Sequence, residues 1–169
     1  MDSRLPKFCF VILVLYAAIH FSSYYSQLPD VVQSHFNAHG APNGWQSKLV
    51  FFSFFVGVTV LATLLTFALP AIIRSMPPEI INLPNKAYWL SPPRRSASFD
   101  FLATWFAWFG CAVFLVILFT FDYAVQSNLH PDNRPDPTRF LYVLFAFLAF
   151  TLLWIFRIAL RFSRLPQDH

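Results

Sequence analysis

Residues Leu49 to Ile73 read LVFFSFFVGVTVLATLLTFALPAII, 25 residues without one charged side chain. A bilayer's hydrocarbon core takes about 20 helical residues to cross. Backbone groups in lipid have no water to bond, so a run of this length must satisfy its own amides as a helix. Three further runs are nearly as apolar, Phe8 to Tyr24, Phe99 to Tyr123 and Phe140 to Leu160, with Asp100, Asp122 and Arg157 as their charged residues. The first, preceded by Arg4 and Lys7, has the look of a cleaved leader. Its far end, His20 to Ser26, offers no small-x-small cleavage pair, and it is read as a span. The expectation is an all-α integral membrane four-helix bundle formed by one domain over residues 1–169.

Composition agrees. Hydrophobic residues make up 57% of the 169, aromatic residues 20% and charged residues only 12%, against about 25% charged in soluble domains. Mean hydropathy is +0.53. The net charge of +4 does not point to nucleic acid, because the basic residues lie between apolar runs rather than in one patch. Cys9 and Cys111 fall inside apolar runs and behave as small hydrophobes.

The basic residues orient the chain. Arg4, Lys7, Arg74, Lys86, Arg94, Arg95, Arg157, Arg161 and Arg164 fall on one side of the four spans, and Lys48, Arg134 and Arg139 on the other. Lys and Arg accumulate on the cytoplasmic side, so both termini are expected in the cytoplasm, with the first and third loops outside. Within the spans, Ala103, Ala107, Gly110 and Cys111 make a small-residue face open to close helix approach. Thr59, Thr63 and Thr66 make a hydroxyl stripe. Arg157, Arg161 and Arg164 share one face at the inner end of the fourth span, where such side chains reach for headgroups.

The first outer loop, Gln27 to Lys48, carries the densest local chemistry. Pro29 suits the first turn of a short helix and Gly40 its left-handed end. Pro42-Asn43-Gly44 signals a turn, and Trp45 with Lys48 marks re-entry at the interface. The spacing predicts a short ordered helix-turn. The pattern Leu28-Pro29, His35-Phe36-Asn37, Gly40, Pro42, Gly44-Trp45 and Lys48 resembles the signature of the bacterial membrane domain catalogued as domain of unknown function 1648. The inner loop, with Asn82, Asn85, Lys86, Trp89, Arg94 and Arg95, resembles the segment that accompanies it. The resemblance implies a multi-pass protein of the bacterial cytoplasmic (inner) membrane. The domain also occurs in larger proteins similar to the SdpI immunity and signalling protein, and it brings no agreed activity.

The polar residues permit several chemistries. On the expected helix His35 and His39, at i and i+4, would share one face, a workable geometry for a divalent transition metal. His20, His130, Asp30, Asp122, Asp132 and Asp136 fall on the same side, and histidine there also suits a pH sensor. No zinc-protease, phosphate-loop or serine-hydrolase motif is present in the sequence. Prolines 77, 78, 84, 92 and 93 stiffen the inner loop, which could dock lipid or a cytoplasmic partner. Asp136-Pro137 reads as the cap and first turn of the fourth span.

The expectation is therefore a binding, sensing or accessory membrane protein without catalytic residues. His35, Asn37, Trp45 and Lys48 would recognise an extracytoplasmic ligand or another membrane protein. Leu28, Pro29, Gly40, Pro42 and Gly44 would set the loop's shape, and the inner-loop residues would form an interface. A metal-dependent enzyme or metal handler on His35 and His39 is one alternative. A small transporter is another, disfavoured by the few ionisable residues within the spans. Membrane lipids are expected partners, and the phenylalanine-rich surface leaves room for a homo-oligomer.

Overall fold

The structure, a computed structural model, describes residues 4–165; the two chain ends, whose cytoplasmic placement the charge count predicts, lie outside them. Four long helices carry the fold: α1 (Arg4–Tyr24), α2 (Lys48–Ser75), α4 (Pro92–Leu129) and α5 (Thr138–Ser163). Each is long and apolar enough to cross a membrane, and the chain is a multi-pass membrane protein. Strands β1 (Val31–Phe36) and β2 (Pro42–Ser47) join α1 to α2. A short 3-10 turn (Pro78–Ile80) and the single turn α3 (Lys86–Trp89) join α2 to α4.

The central element is α4. At 38 residues it is about 57 Å long at 1.5 Å per residue, longer than the span read from hydropathy. Pro92 and Pro93 start it rather than block it, because proline in a first turn forfeits no intrahelical hydrogen bond. α1 runs parallel to it, with Pro6 carbonyl at 3.4 Å from Cys111 Sγ and His20 Nε2 at 2.8 Å from Asp122 Oδ1. α2 runs antiparallel, with Phe51 on Phe121 at one end and Arg74 Nη1 at 2.7 Å from Asp100 Oδ1 at the other. The core is aromatic: Phe10, Phe21, Phe51, Phe55, Phe114 and Phe121 are all buried between these three helices. Lipid is as apolar as phenylalanine, so these side chains hold the helices through close packing and ring contacts, not through exclusion of water.

The small-residue face meets the threonine stripe. A Cβ at Gly110 would collide with Thr66 Oγ1 and lie 2.6 Å from Thr66 Cγ2, so α2 and α4 touch backbone to side chain at this level. Thr63 and Thr66 donate their hydroxyls to the carbonyls of Thr59 and Ala62, four residues back, which keeps those groups satisfied inside the span.

The four helices do not enclose one common core. α5 lies against α4 alone among the long helices, through Phe147 and Trp154 on Phe109 and a Trp154 Nε1 hydrogen bond to the Trp105 carbonyl at 2.7 Å. Phe162 is its one buried residue. Its other face, with Tyr142, Phe145, Leu152, Leu153 and Phe156, is exposed to the lipid.

The connection from α2 to α4 works as a staple. Asn85, in the left-handed region at φ 52°, donates Nδ2 to the carbonyls of Phe162 and Ser163 at 3.0 and 3.1 Å. Trp89 Nε1 donates to the same Phe162 carbonyl at 3.0 Å. These carbonyls belong to the last turn of α5, which has no intrahelical donors left for them. Arg95 does the same for α2, reaching the carbonyls of Arg74 and Met76. Arg94 stacks on Tyr88 at 4.0 Å, and Lys86 Nζ donates to the Glu79 carbonyl. Asn82 is exposed.

Candidate functional site

The first loop is a β-hairpin, not the short helix-turn expected from Pro29 and Gly40. Val31 pairs with Ser47, Val32 with Gln46, Gln33 with Trp45, His35 with Gly44 and Phe36 with Pro42. Two irregularities flank the His35–Gly44 pair. Several forces favour strands. Val31 and Val32 are β-branched and stiff, and alternate side chains face opposite ways. That alternation buries Val32 completely while Val31 stays exposed. Pro42-Asn43-Gly44 lies within β2 rather than at the tip.

Asn37 builds the turn. Its Oδ1 accepts the His39 and Ala41 amides at 2.9 and 3.0 Å, and its own backbone amide donates to the Ala41 carbonyl. An asparagine side chain in this position substitutes for a backbone carbonyl. Gly40 follows at φ 74°, a left-handed position as expected, but in the hairpin tip. A Cβ there would sit 2.9 Å from the Tyr123 hydroxyl. Gly44 has a steric role as well, since a Cβ would lie 2.9 Å from His35 Cβ.

The hairpin's base is locked to the helices. The Lys48 amide donates to the Asp30 carbonyl, and its Nζ reaches the Leu28 carbonyl and the Asp30 carboxylate, each at 3.2 Å. Leu28 itself is core. Ser47 closes β2 and caps α2, accepting the Val50 amide. The decisive tie is Asn128, near the end of α4. Its Oδ1 accepts the Gln33 amide at 2.8 Å and its Nδ2 donates to the Gln33 carbonyl at 2.9 Å. One side chain thereby replaces a neighbouring strand on the open edge of β1. No sequence signal marked Asn128; it lies 95 positions from its partner.

Between hairpin tip, α4 and the start of α5 lies a cleft of about 520 Å³. His35, Phe36 and Asn37 line it from the hairpin, Tyr123 from α4, and Phe140 and Leu141 from α5. Phe36 meets the Tyr123 ring edge-to-face at 5.3 Å. The Tyr123 hydroxyl is buried at the wall without a hydrogen-bond partner. Asp136 stands just ahead of α5, its Oδ1 accepting the Thr138 amide at 2.9 Å. These bonds from the Thr138 hydroxyl and amide, with attraction from Arg139, hold its carboxyl below the ordinary carboxylate range. The cap therefore comes from Asp136, as expected, while Pro137 sits just outside the helix.

The four residues expected to recognise a ligand divide. Asn37 Oδ1 and Lys48 Nζ are engaged in internal bonds. His35 is exposed at the cleft, and Trp45 stands 59% exposed on β2. The helical i, i+4 geometry invoked for a metal is absent, since His35 lies in β1 and His39 in the turn. Among the described residues no group of three or more histidine, cysteine or acidic side chains gathers as a ligand set. His20 instead joins Asp122, which also receives Gln126 Nε2 at 3.4 Å, and ties α1 to α4 near the hairpin.

Fold and site together define a multi-pass membrane protein whose first loop is a docked β-hairpin. Residues 11–60 match the family described as Domain of unknown function (DUF1648), a stretch that takes in most of α1, the hairpin and the first half of α2. The inner loop lies outside the matched residues. No curated protein and no solved structure matches the chain.

Proposed function

We propose that the protein is a recognition protein of the bacterial cytoplasmic membrane, in which the hairpin and its cleft bind a small amphipathic ligand. The observation that carries this reading is the cleft itself. It is an apolar-lined concavity of about 520 Å³, one wall of which is the rigidly docked hairpin of the matched domain. Binding sites are commonly concave, apolar and provided with a few polar groups. Here His35 stands at the cleft, and a ligand hydroxyl or carbonyl would supply the missing partner of Tyr123. Trp45, exposed on β2, suits the membrane–water boundary. The excess of basic residues at the opposite end supports an extracytoplasmic hairpin.

A diazirine-bearing fatty acid photolysed with the protein in nanodiscs tests the reading. Labelling should concentrate on peptides containing Phe36, Tyr123 and Leu141. Thr120→Trp, which fills the cleft from its exposed rim, should abolish that labelling while leaving α5 labelled elsewhere. Uniform labelling of the lipid face of α5, unchanged by Thr120→Trp, would overturn the proposal.

A further inference from the structure

At the other end of the molecule a second concavity, of about 710 Å³, opens between α4, α5 and the α2–α4 connection. Its lining includes Trp89, Asp100 and Phe101 on one side and Arg157, Arg161 and Arg164 on the other. Arg157 and Arg161, at i and i+4, share one face of α5, and Arg164 follows directly after the helix, lining the same concavity. Among the described residues, the nearest groups that could neutralise them are already engaged. Asp100 is held by Arg74 at 2.7 Å. The terminal carbonyls of α5, the natural acceptors for a guanidinium there, are taken by Asn85 and Trp89. Among the described residues none of the three arginines has a carboxylate within ion-pair distance. Arg161 is instead positioned by two rings, 4.5 Å from Trp89 and 5.5 Å from Phe101. Arg157 lies six residues inside the helix end, about 9 Å deep at 1.5 Å per residue.

We propose that this pocket binds the phosphate of an anionic phospholipid headgroup. Guanidinium forks match phosphate oxygens in geometry and charge, and basic pockets between membrane helices take such headgroups. The aromatic floor of Trp89 and Phe101 suits the glycerol and upper acyl region, and the depth of Arg157 favours an anion anchored in the bilayer over one from bulk solvent. This site is independent of the hairpin cleft.

The test is the thermal unfolding midpoint of the protein in neutral detergent, titrated separately with phosphatidylglycerol, phosphatidylcholine of the same chains and inorganic phosphate. Phosphatidylglycerol should raise the midpoint saturably, and the other two should not. Arg157→Gln with Arg161→Gln should weaken the apparent affinity roughly thirtyfold, at about fivefold for each charge removed. Arg139→Gln, at the opposite end of α5, should leave it unchanged. Should the double variant not fold, Arg164→Gln alone should weaken binding about fivefold. An equal shift with phosphatidylcholine would overturn the site. An equal shift with inorganic phosphate would overturn the lipid assignment. An unchanged affinity in the arginine variants would overturn both.

Discussion

Asn128 holds the hairpin by presenting a carbonyl and an amide to Gln33 as a third strand would. Asn128→Leu keeps the bulk and removes both bonds, leaving the Gln33 amide and carbonyl without protein partners at a half-buried position. Each orphaned group costs about 1–3 kcal/mol, so the variant should unfold at a lower temperature in detergent, with faster exchange of the Gln33 amide; unchanged exchange would contradict this role. Gly110 is the corresponding single point between α2 and α4. Gly110→Ala drives a methyl into Thr66, and overpacking of this kind costs about 1–3 kcal/mol. Thr66→Ala removes two of the three atoms that methyl would meet, so the double variant should be more stable than the two single losses added together. Additive losses would argue against direct contact. Gly110 and its threonine partners were legible in the sequence, because small residues at four-residue spacing inside a span have one common use. Asn128 was not, since an asparagine near a helix end carries no mark of a strand folded far earlier in the chain.

The hairpin shows where local reading stops. Pro29, Gly40 and Pro42-Asn43-Gly44 signalled an ordered loop, and the left-handed conformation of Gly40 was read correctly. The type of element was misread because Gly40 suits a helix end and a hairpin tip equally well. The burial of Val32 and the Gln33–Asn128 bonds settle the matter, and both depend on α4. Asn37→Ala removes the acceptor for two amides and should loosen the tip, seen as faster exchange at Ala41 with the four helices intact. Helix loss in circular dichroism would contradict this. Asp136 governs the start of α5 in a pH-dependent way. Its carboxyl titrates below the ordinary range because it accepts from Thr138. Its contribution is therefore complete above the unfolded-state value and fades as pH falls through the lowered folded value. The Thr138 amide chemical shift should follow that step with a midpoint below that of a free aspartate, and Asp136→Asn should remove it. A midpoint at or above the ordinary value would contradict the cap.

The whole molecule is a mast with two working ends. α4 runs the full length, α1 and α2 form the aromatic core with it, and α5 leans on it with most of its surface in lipid. Hydropathy revealed the four spans but not this unequal arrangement, since every apolar face looks alike to a count of apolar residues. The asymmetry exists because lipid accepts the bare face of α5, and the staple from Asn85 and Trp89 fixes its end without requiring a shared core. One end carries the hairpin and its cleft, the other the arginine pocket. Both proposed binding sites rest on these ends lying on opposite sides of the membrane. Cysteine accessibility tests it directly. With Cys9 and Cys111 replaced by alanine, His39→Cys in the hairpin tip and Glu79→Cys in the α2–α4 connection are treated in intact cells with a membrane-impermeant maleimide. The account predicts labelling at position 39 and none at 79 until the membrane is opened; labelling of both from outside, or of 79 alone, would contradict it.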